Sequence, residues 1–342
     1  MKKKNVIQIA NILLTRRCNL RCHYCNIVRD YLSKPEEYPD MKYYINNELH
    51  YTEWIKIFDA LYENNPNIFF ILYGGEPLLY NDLDKIITHM KNNGYNHTII
   101  SNNTKIIREK IKDLIDKVGP LPGFTASVDP ELCLYLDQLA LRDDDSIRKT
   151  ISGFEHLKYL KENDLAEDVV AEITVSKDNI QYLYRTVQIL TKHNIYSSIT
   201  TIDSQKSRYY DFSAVTTSDD AVLKDINTRL IFDKIISDKS LLVHMPQLLN
   251  NLYDILPCEM KCNIADDVHN VCIDSDGTFR LCLRIKGCNV SKIKVCDAID
   301  ENGNLRPNAI EAMKMDYDNY CLGCNHTCLL MSSYYSNQII TH

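Results

Sequence analysis

Three cysteines lie close together near the start of the chain, within the stretch 15–25, TRRCNLRCHYC. Their spacing is C-x3-C-x2-C, and at roughly 3.3–3.6 Å per extended residue Cys22 lies at most about 14 Å from Cys18 and about 11 Å from Cys25. A curled loop can therefore direct three sulfur atoms at one small object, which indicates a metal ion or a metal cluster.

Zinc and iron–sulfur clusters make different demands on such a loop. A structural zinc ion takes four ligands in a closed tetrahedron, and the nearby fourth candidate, His23, lies between two of the cysteines, where convergence is awkward. Three thiolates suit a 4Fe-4S cluster, in which one iron then stays open. An open iron is a place for chemistry, so the sequence favours a reactive cluster held by Cys18, Cys22 and Cys25.

A second group of cysteines lies after residue 257, where nine of the thirteen in the chain are found. Cys262, Gly277 and Cys282 follow the pattern C-x14-G-x4-C, and Cys321 and Cys324 add C-x2-C. The segment 274–277, DSDG, predicts the tight turn of a hairpin between strands at 271–273 and 279–283. These four cysteines can hold one complete iron–sulfur cluster, and on spacing alone a zinc site fits equally well.

The remaining cysteines divide into two sets. Cys258 and Cys328 are alternatives or additions to the four ligands of the C-terminal site. The others are predicted to be buried as small hydrophobic side chains, and they are Cys133, Cys272, Cys288 and Cys296.

Composition and charge limit the class of protein. The 342 residues are 45% hydrophobic and 25% charged, which is the balance of a globular protein. The net charge of -7 argues against sequence-independent binding to nucleic acid, which needs a basic surface. No segment has the composition of a secretory signal or a membrane span. Cysteines without an export signal indicate metal binding in the reducing cytoplasm rather than disulfides.

Apolar runs alternate with amphipathic segments along the first two thirds of the chain. Buried strands are predicted at 6–14, 67–73, 97–101, 123–128, 169–175 and 196–201. Helices are predicted between them, the first capped by Thr52, and then at 82–93, 105–118, 146–163 and 180–193. The alternation predicts an α/β fold, a partial (β/α)6 TIM-like barrel, followed by a helical connector and a small C-terminal cysteine-rich domain.

Polar residues follow several of these strands directly. In parallel α/β folds the working residues lie at the carboxyl ends of the strands. The cysteine loop lies there, and so do Gly74, Gly75, Glu76 and Pro77, Ser101 and Asn102, and Ser127 and Asp129. Glu172 and Thr174 alternate with apolar neighbours on the fifth strand, so they face either the barrel interior or solvent.

The cysteine loop, with Tyr24 before Cys25, resembles the signature C-x3-C-x-aromatic-C of the radical S-adenosylmethionine (SAM) family, and the similarity covers about residues 5–205. The resemblance implies that the open iron binds SAM and that reductive cleavage yields methionine and a 5′-deoxyadenosyl radical, which abstracts hydrogen from a substrate. It also implies SAM contacts for residues that match the family's motifs: Tyr24, Gly74, Gly75, Glu76, Pro77, Ser101, Asn102, Ser127 and Asp129.

The C-terminal cysteines resemble the ligands of twitch and SPASM domains, which carry auxiliary 4Fe-4S clusters in radical SAM enzymes. The resemblance implies a second cluster on Cys262, Cys282, Cys321 and Cys324. A full SPASM domain has C-x2-C-x5-C-x3-C and a further cysteine, whereas here Cys324 is followed by x3 and Cys328, the last cysteine of the chain. This departure favours one auxiliary cluster over two.

The sequence thus predicts a cytoplasmic radical SAM enzyme with a barrel at 1–215, a connector at 216–257 and an auxiliary-cluster domain at 258–342. The expected substrate is a peptide or protein side chain, and the expected electron donor is a flavodoxin or ferredoxin. Because the barrel begins at once, with no N-terminal peptide-recognition domain before it, a dehydrogenase or rearrangement enzyme for a small molecule is the alternative. A catalytically silent metal-binding or interaction protein is the alternative of another class.

Overall fold

The structure is a computed structural model that describes residues 6–20, 41–138, 145–176, 178–201, 226–244, 246, 249, 268–280 and 293–320. The strands are β1 (Ile9–Thr15), β2 (Phe69–Gly74), β3 (Asn96–Ser101), β4 (Leu121–Ser127), β5 (Ala166–Val175), β6 (Tyr196–Thr201), β7 (Asn270–Ile273) and β8 (Phe279–Arg280).

The helices fall mainly between consecutive strands. They are α1 (Met41–Asn46), α2 (Tyr51–Asn64), α3 (Leu83–Asn92), α4 (Lys105–Val118), α5 (Leu132–Gln138), α6 (Asp145–Glu162), α7 (Leu183–Lys192), α8 (Ile226–Ser237), α9 (Val295–Ala298) and α10 (Pro307–Tyr320). A short 3₁₀ turn at Pro77–Leu79 follows β2, and another at Ile180–Tyr182 precedes α7.

All the described strands belong to one sheet, in the order β6-β5-β4-β3-β2-β1-β7-β8. Neighbouring pairs from β6 to β7 are parallel, and β8 is antiparallel to β7. Each parallel crossover is long enough to contain a helix, as parallel strands require. The predicted α/β class with a parallel barrel-like sheet is confirmed.

Large apolar side chains fill the space between the sheet and the helices. On α2, Trp54 and Phe58 are fully buried, and the Phe58 ring meets the Phe70 ring of β2 edge-on with centroids 5.2 Å apart. Two strands along the sheet from β2, the ring of Phe124 on β4 lies edge-on to the ring of His156 on α6, with centroids 6.4 Å apart. These contacts define which face of each strand is turned toward the helices.

The predicted elements agree with the structure at their centres more than at their ends. The strand predicted at 196–201 and the helix predicted at 105–118 have the bounds of β6 and α4. Thr52 was the wrong choice of helix cap, because α2 begins one residue earlier and His50 is its N-cap. The backbone N–H of His50 donates to the carboxylate of Glu53. This bond gives a partner to an N–H at the start of the helix that no backbone carbonyl of the helix can accept.

The hairpin predicted around residues 274–277 is present, and it extends the barrel sheet. Gly277 occupies the turn with φ +76° and donates its N–H to the carbonyl of Asp274 at 2.8 Å. Strand β7 then pairs in parallel with β1, with Asn11 opposite Cys272. The hairpin therefore covers the β1 edge of the barrel.

Candidate functional site

The Gly-Gly-Glu-Pro turn after β2 packs directly on the start of the cysteine loop. The N–H of Gly75 donates to the carbonyl of Thr15, and the N–H of Glu76 donates to the carbonyl of Arg17, both at 2.7 Å. Two loops at the carboxyl ends of neighbouring strands are thus joined by backbone hydrogen bonds to residues three and one positions before the first cysteine, Cys18.

Both glycines are required by this close approach. A Cβ atom on Gly74 would lie 2.3 Å from the carbonyl oxygen of Thr15, and one on Gly75 would lie 2.2 Å from that of Arg17. The atoms in the way are backbone, so the cysteine loop itself would have to move. In the structure these glycines admit the backbone of the cysteine loop.

Glu76 joins the same turn to the end of β3. Its side chain is fully buried, and its carboxylate accepts the backbone N–H of Asn102 at 2.9 Å and the hydroxyl of Ser101 at 3.1 and 3.2 Å. The N–H of Leu78 donates to the same carboxylate at 3.2 Å. Burial raises the pKa of Glu76 to about 7, and these three donors act in the opposite direction.

Asn102 in turn reaches the first cysteine. Its side-chain amide Nδ2 lies 3.8 Å from Sγ of Cys18 and donates to Oδ1 of Asn19 at 2.8 Å. The backbone N–H of Leu20 also donates to this sulfur, at 3.4 Å. Because N–H donors stabilise a thiolate, the half-buried Cys18 has the surroundings of a cluster ligand rather than of a core cysteine.

Two arginines fix the start of the cysteine loop by ion pairs with residues outside the glycine turn. The buried Arg16 forms a two-pronged ion pair with Asp274 in the β7–β8 turn, with Nε 2.9 Å from Oδ1, and it lies over the ring of Tyr44 at 4.1 Å. The Arg17 guanidinium pairs with Glu48 at 2.8 Å. Glu48 and Asp274 were not predicted as site residues, since they lie 31 and 258 residues away in sequence from their partners, and the turn pattern at Asp274 predicts a hairpin but no contact with the cysteine loop.

Glu172 faces the barrel interior. It lies opposite Ser127 of β4 and Ser198 of β6, and the hydroxyls of Ser198 and Thr200 donate to its carboxylate. Burial raises its pKa to about 7. Ser127 and Asp129 are exposed at the end of β4, at the same edge of the sheet as Asn102.

Seven predicted site residues lie outside the described residues: Cys22, Tyr24, Cys25, Cys262, Cys282, Cys321 and Cys324. The alternatives Cys258 and Cys328, and Cys288, lie outside them too. Cys133 and Cys272 are buried, as predicted. The prediction for Cys296 was wrong, because this side chain is exposed on the short helix α9, whose buried positions are Val295 and Ala298.

Comparison with known proteins identifies the family. The family model of the radical SAM superfamily matches residues 12–202, which is more than half of the chain and includes both the cysteine loop and the glycine turn. The chain belongs to the radical SAM superfamily. Membership implies a 4Fe-4S cluster and SAM as cofactors, and the donors around Cys18 fit a thiolate ligand of such a cluster.

Individual radical SAM proteins match only in part. The GTP 3',8-cyclase of Aquifex aeolicus (strain VF5) is 32% identical over 131 residues, 37% of this chain and 37% of that protein. The radical SAM cyclopropyl synthase TigE of Paramaledivibacter caminithermalis is 26% identical over 233 residues, 65% of this chain and 46% of TigE. The matches thus span less than half the length of both relatives.

Solved structures share the radical SAM fold. Streptococcus suis SuiB bound to precursor peptide SuiA has a TM-score of 0.59 at 14% identity, over 91% of this chain and 67% of SuiB. Native anSMEcpe with bound AdoMet and the Cp18Cys peptide has a TM-score of 0.54 at 14% identity, over 92% of this chain and 88% of that chain. Among the described helices of this chain, none has the length and hydropathy to cross a bilayer.

Proposed function

We propose that this radical SAM protein is an enzyme that modifies a side chain of a peptide or protein. Cys18, Cys22 and Cys25 hold the 4Fe-4S cluster, which with bound SAM supplies reductive cleavage and a 5′-deoxyadenosyl radical. The observation that carries the proposal is the joining of Cys18, Asn102 and the glycine turn at one edge of a parallel sheet. Such edges are where parallel α/β folds place their chemistry.

The described residues of the chain position the cofactors. Asn102 and the N–H of Leu20 stabilise the Cys18 thiolate, and Glu76 fixes the backbone of Asn102. Gly74 to Pro77, Tyr24 and the end of β3 seat SAM, and Ser127 and Asp129 offer further polar groups to it. The barrel interior keeps the reactive fragment close to its substrate and away from water.

A peptide substrate is supported by structures of the same fold that hold peptides. SuiB is bound to a precursor peptide, and anSMEcpe holds both AdoMet and a peptide. An auxiliary cluster on Cys262, Cys282, Cys321 and Cys324 carries electrons to or from the substrate, and a flavodoxin or ferredoxin reduces the first cluster. The GTP 3',8-cyclase relative favours the second candidate function, a rearrangement or oxidation of a small molecule.

The test is the release of 5′-deoxyadenosine and methionine from SAM by the anaerobically reconstituted, reduced protein. We expect both products from the wild type and neither from Cys18→Ala or Cys22→Ala. Cys296→Ala is the matched control, because Cys296 is exposed on α9 and lies outside the proposed ligand sets. Cleavage that persists in either ligand variant contradicts the proposal.

Iron analysis of the same preparations separates the enzyme from a silent metal-binding protein. The cysteine-loop variants are expected to lose about four iron atoms per chain, because a cluster that lacks one of its three thiolates is not retained. A colourless wild-type protein that binds zinc would support the silent alternative. Product formation that depends on an added peptide, and not on an added nucleotide, would favour peptide modification over the small-molecule function.

A further inference from the structure

Glu172 lies on the face of β5 that is turned away from the helices. Phe124 of β4 packs against His156 of α6 and pairs in register with Val169, so Val169 and every second residue after it face the helices. The buried residues at positions 169, 171, 173 and 175 follow this period. Glu172 has the opposite parity and therefore points into the barrel.

The register also places Glu172 at the level of the cofactor site. Ser101, the last residue of β3, pairs with Ala126, and the next residue of β4, Ser127, pairs with Glu172. Glu172 is therefore only about one residue, roughly 3.3 Å along the strand, from the level of Ser101. Ser101 itself donates to Glu76 of the glycine turn. The carboxylate thus lies near the carboxyl ends of the strands, the end of the barrel that carries the glycine turn, and not at the far end.

The wall around Glu172 is polar and rich in hydroxyl groups. The hydroxyls of Ser198 and Thr200 donate to the carboxylate, and Thr200 also lies 3.4 Å from the hydroxyl of Thr174. A comparable pair, Thr98 and Thr125, lies 3.3 Å apart on β3 and β4. A wall of this kind suits a polar ligand rather than a purely apolar one.

Glu172 lacks a cationic partner within the described part of the chain. Its hydrogen bonds there come from two neutral hydroxyls, and no described Lys, Arg or His lies close enough to shift its pKa. The side chain of Glu172 is half-buried, and a carboxylate that loses contact with water is normally paired with a cation, since water no longer stabilises its charge. This desolvation is also why the pKa of Glu172 is raised to about 7. A cation that enters the barrel with the ligand would complete the pair.

We propose that Glu172 binds an ammonium or guanidinium group of the substrate, so that the peptide carries a lysine or arginine at or beside the modified residue. The inference rests on the proposed function and names its substrate class. Glu172 acts as a specificity-determining residue: its carboxylate accepts hydrogen bonds from the cationic group, and Ser198 and Thr200 hold the carboxylate in place.

The test is equilibrium binding of short peptides to the SAM-loaded holoenzyme without reductant. The peptides are acetyl-Gly-Gly-Xaa-Gly-Gly-amide, in which Xaa is lysine, arginine, norleucine, glutamine or glutamate. We expect the lysine or arginine peptide to bind at least about tenfold more tightly than the norleucine peptide, as a partly desolvated charge pair provides. Glu172→Gln should abolish this preference and leave the affinity for SAM unchanged.

Glu167→Gln is the matched control, because Glu167 is an exposed glutamate on the same strand and should keep the preference. The inference is overturned if the basic peptides show no preference or no binding, if the preference survives in Glu172→Gln, or if Glu167→Gln removes it equally. A tenfold loss of SAM affinity in Glu172→Gln would assign the carboxylate to SAM instead. Because the peptide-binding measurement involves no turnover, a negative result in it can be told apart from a failure of SAM cleavage.

Discussion

The carboxylate of Glu76 accepts the backbone N–H of Asn102 at 2.9 Å, which ties the turn after β2 to the end of β3. The side chain of Asn102 extends from this fixed point to Sγ of Cys18. A glutamate in the glycine turn thereby influences the cysteine loop through one intermediate residue. The turn and the loop consequently behave as one unit, and substitutions in either should affect the other.

Asn102→Ala removes an amide donor beside the Cys18 sulfur. We expect SAM cleavage to fall about tenfold or more, the usual effect of deleting a group that orients a metal ligand. We also expect the reduction potential of the cluster to become more negative, because a hydrogen bond to sulfur stabilises the reduced, more negative form. A redox titration followed by electron paramagnetic resonance measures the shift. Asn96→Ala, at the exposed opposite end of β3, is the control and should leave both quantities unchanged.

Gly75→Ala forces the new Cβ to within 2.2 Å of the Arg17 carbonyl oxygen. Relief of this overlap displaces the cysteine loop, and such overpacking costs about 1–3 kcal/mol. We expect a lower iron content and a lower melting temperature. Gly153→Ala is the matched control on α6, where the nearest atom to a new Cβ is at an ordinary 3.6 Å. Equal iron contents in the two variants would contradict the assigned role of Gly75.

The buried pair of Arg16 and Asp274 links the cysteine loop to the β7–β8 hairpin. Their side chains are only 3% and 0% exposed. Arg16→Met removes the guanidinium that pairs with the buried carboxylate of Asp274, at a cost of about 3–5 kcal/mol in the free energy of unfolding. The double variant Arg16→Met/Asp274→Asn should recover most of this loss, since neither charge remains. Urea unfolding measures all three proteins, and equal losses in the single and double variants would show that the pair is not the cause.

Glu172 makes the stability of the protein depend on pH. Its folded-state pKa of about 7 lies above the ordinary value of 4.5, so the folded protein holds this proton more tightly than the unfolded chain. The resulting stabilisation is complete below about pH 4.5 and is lost as the pH rises through 7. Between pH 6 and pH 8 the wild type should lose about 1 kcal/mol more than Glu172→Gln.

Urea titrations at the two pH values give this difference. Glu76, whose pKa is also raised to about 7, contributes equally to both proteins and cancels in the comparison. If the free energy of unfolding changes with pH equally in wild type and variant, Glu172 ionises normally in the folded state.

Local sequence patterns predicted the barrel well because each of its units is largely a local structure. The apolar run before the cysteine loop and the run that ends at the glycine turn each specify a buried strand, observed as β1 and β2. The ends of elements were less certain, as the cap of α2 shows. Helix α10 has no strong amphipathic pattern and was not predicted.

The sequence did not predict the pairings between segments that are distant along the chain. The register of β7 against β1, and the bond between Asn11 and Asn270 at 2.5 Å, join residues about 260 positions apart. Glu172 had two open interpretations, the barrel interior or a solvated face. Its place in the interior follows from the register of β5 against β4, in which Val169 lies opposite Phe124, a residue that faces the helices.

The sequence by itself determined the family, through three cysteines and a glycine turn whose spacings are set by covalent geometry within a few residues. The tertiary structure alone decided why the two glycines are needed, which side chains approach Cys18, and where Glu172 points. Spacing along the chain limits only what neighbours in sequence can reach. Contacts across the sheet depend on strand order and register, which arise from the packing of the whole barrel.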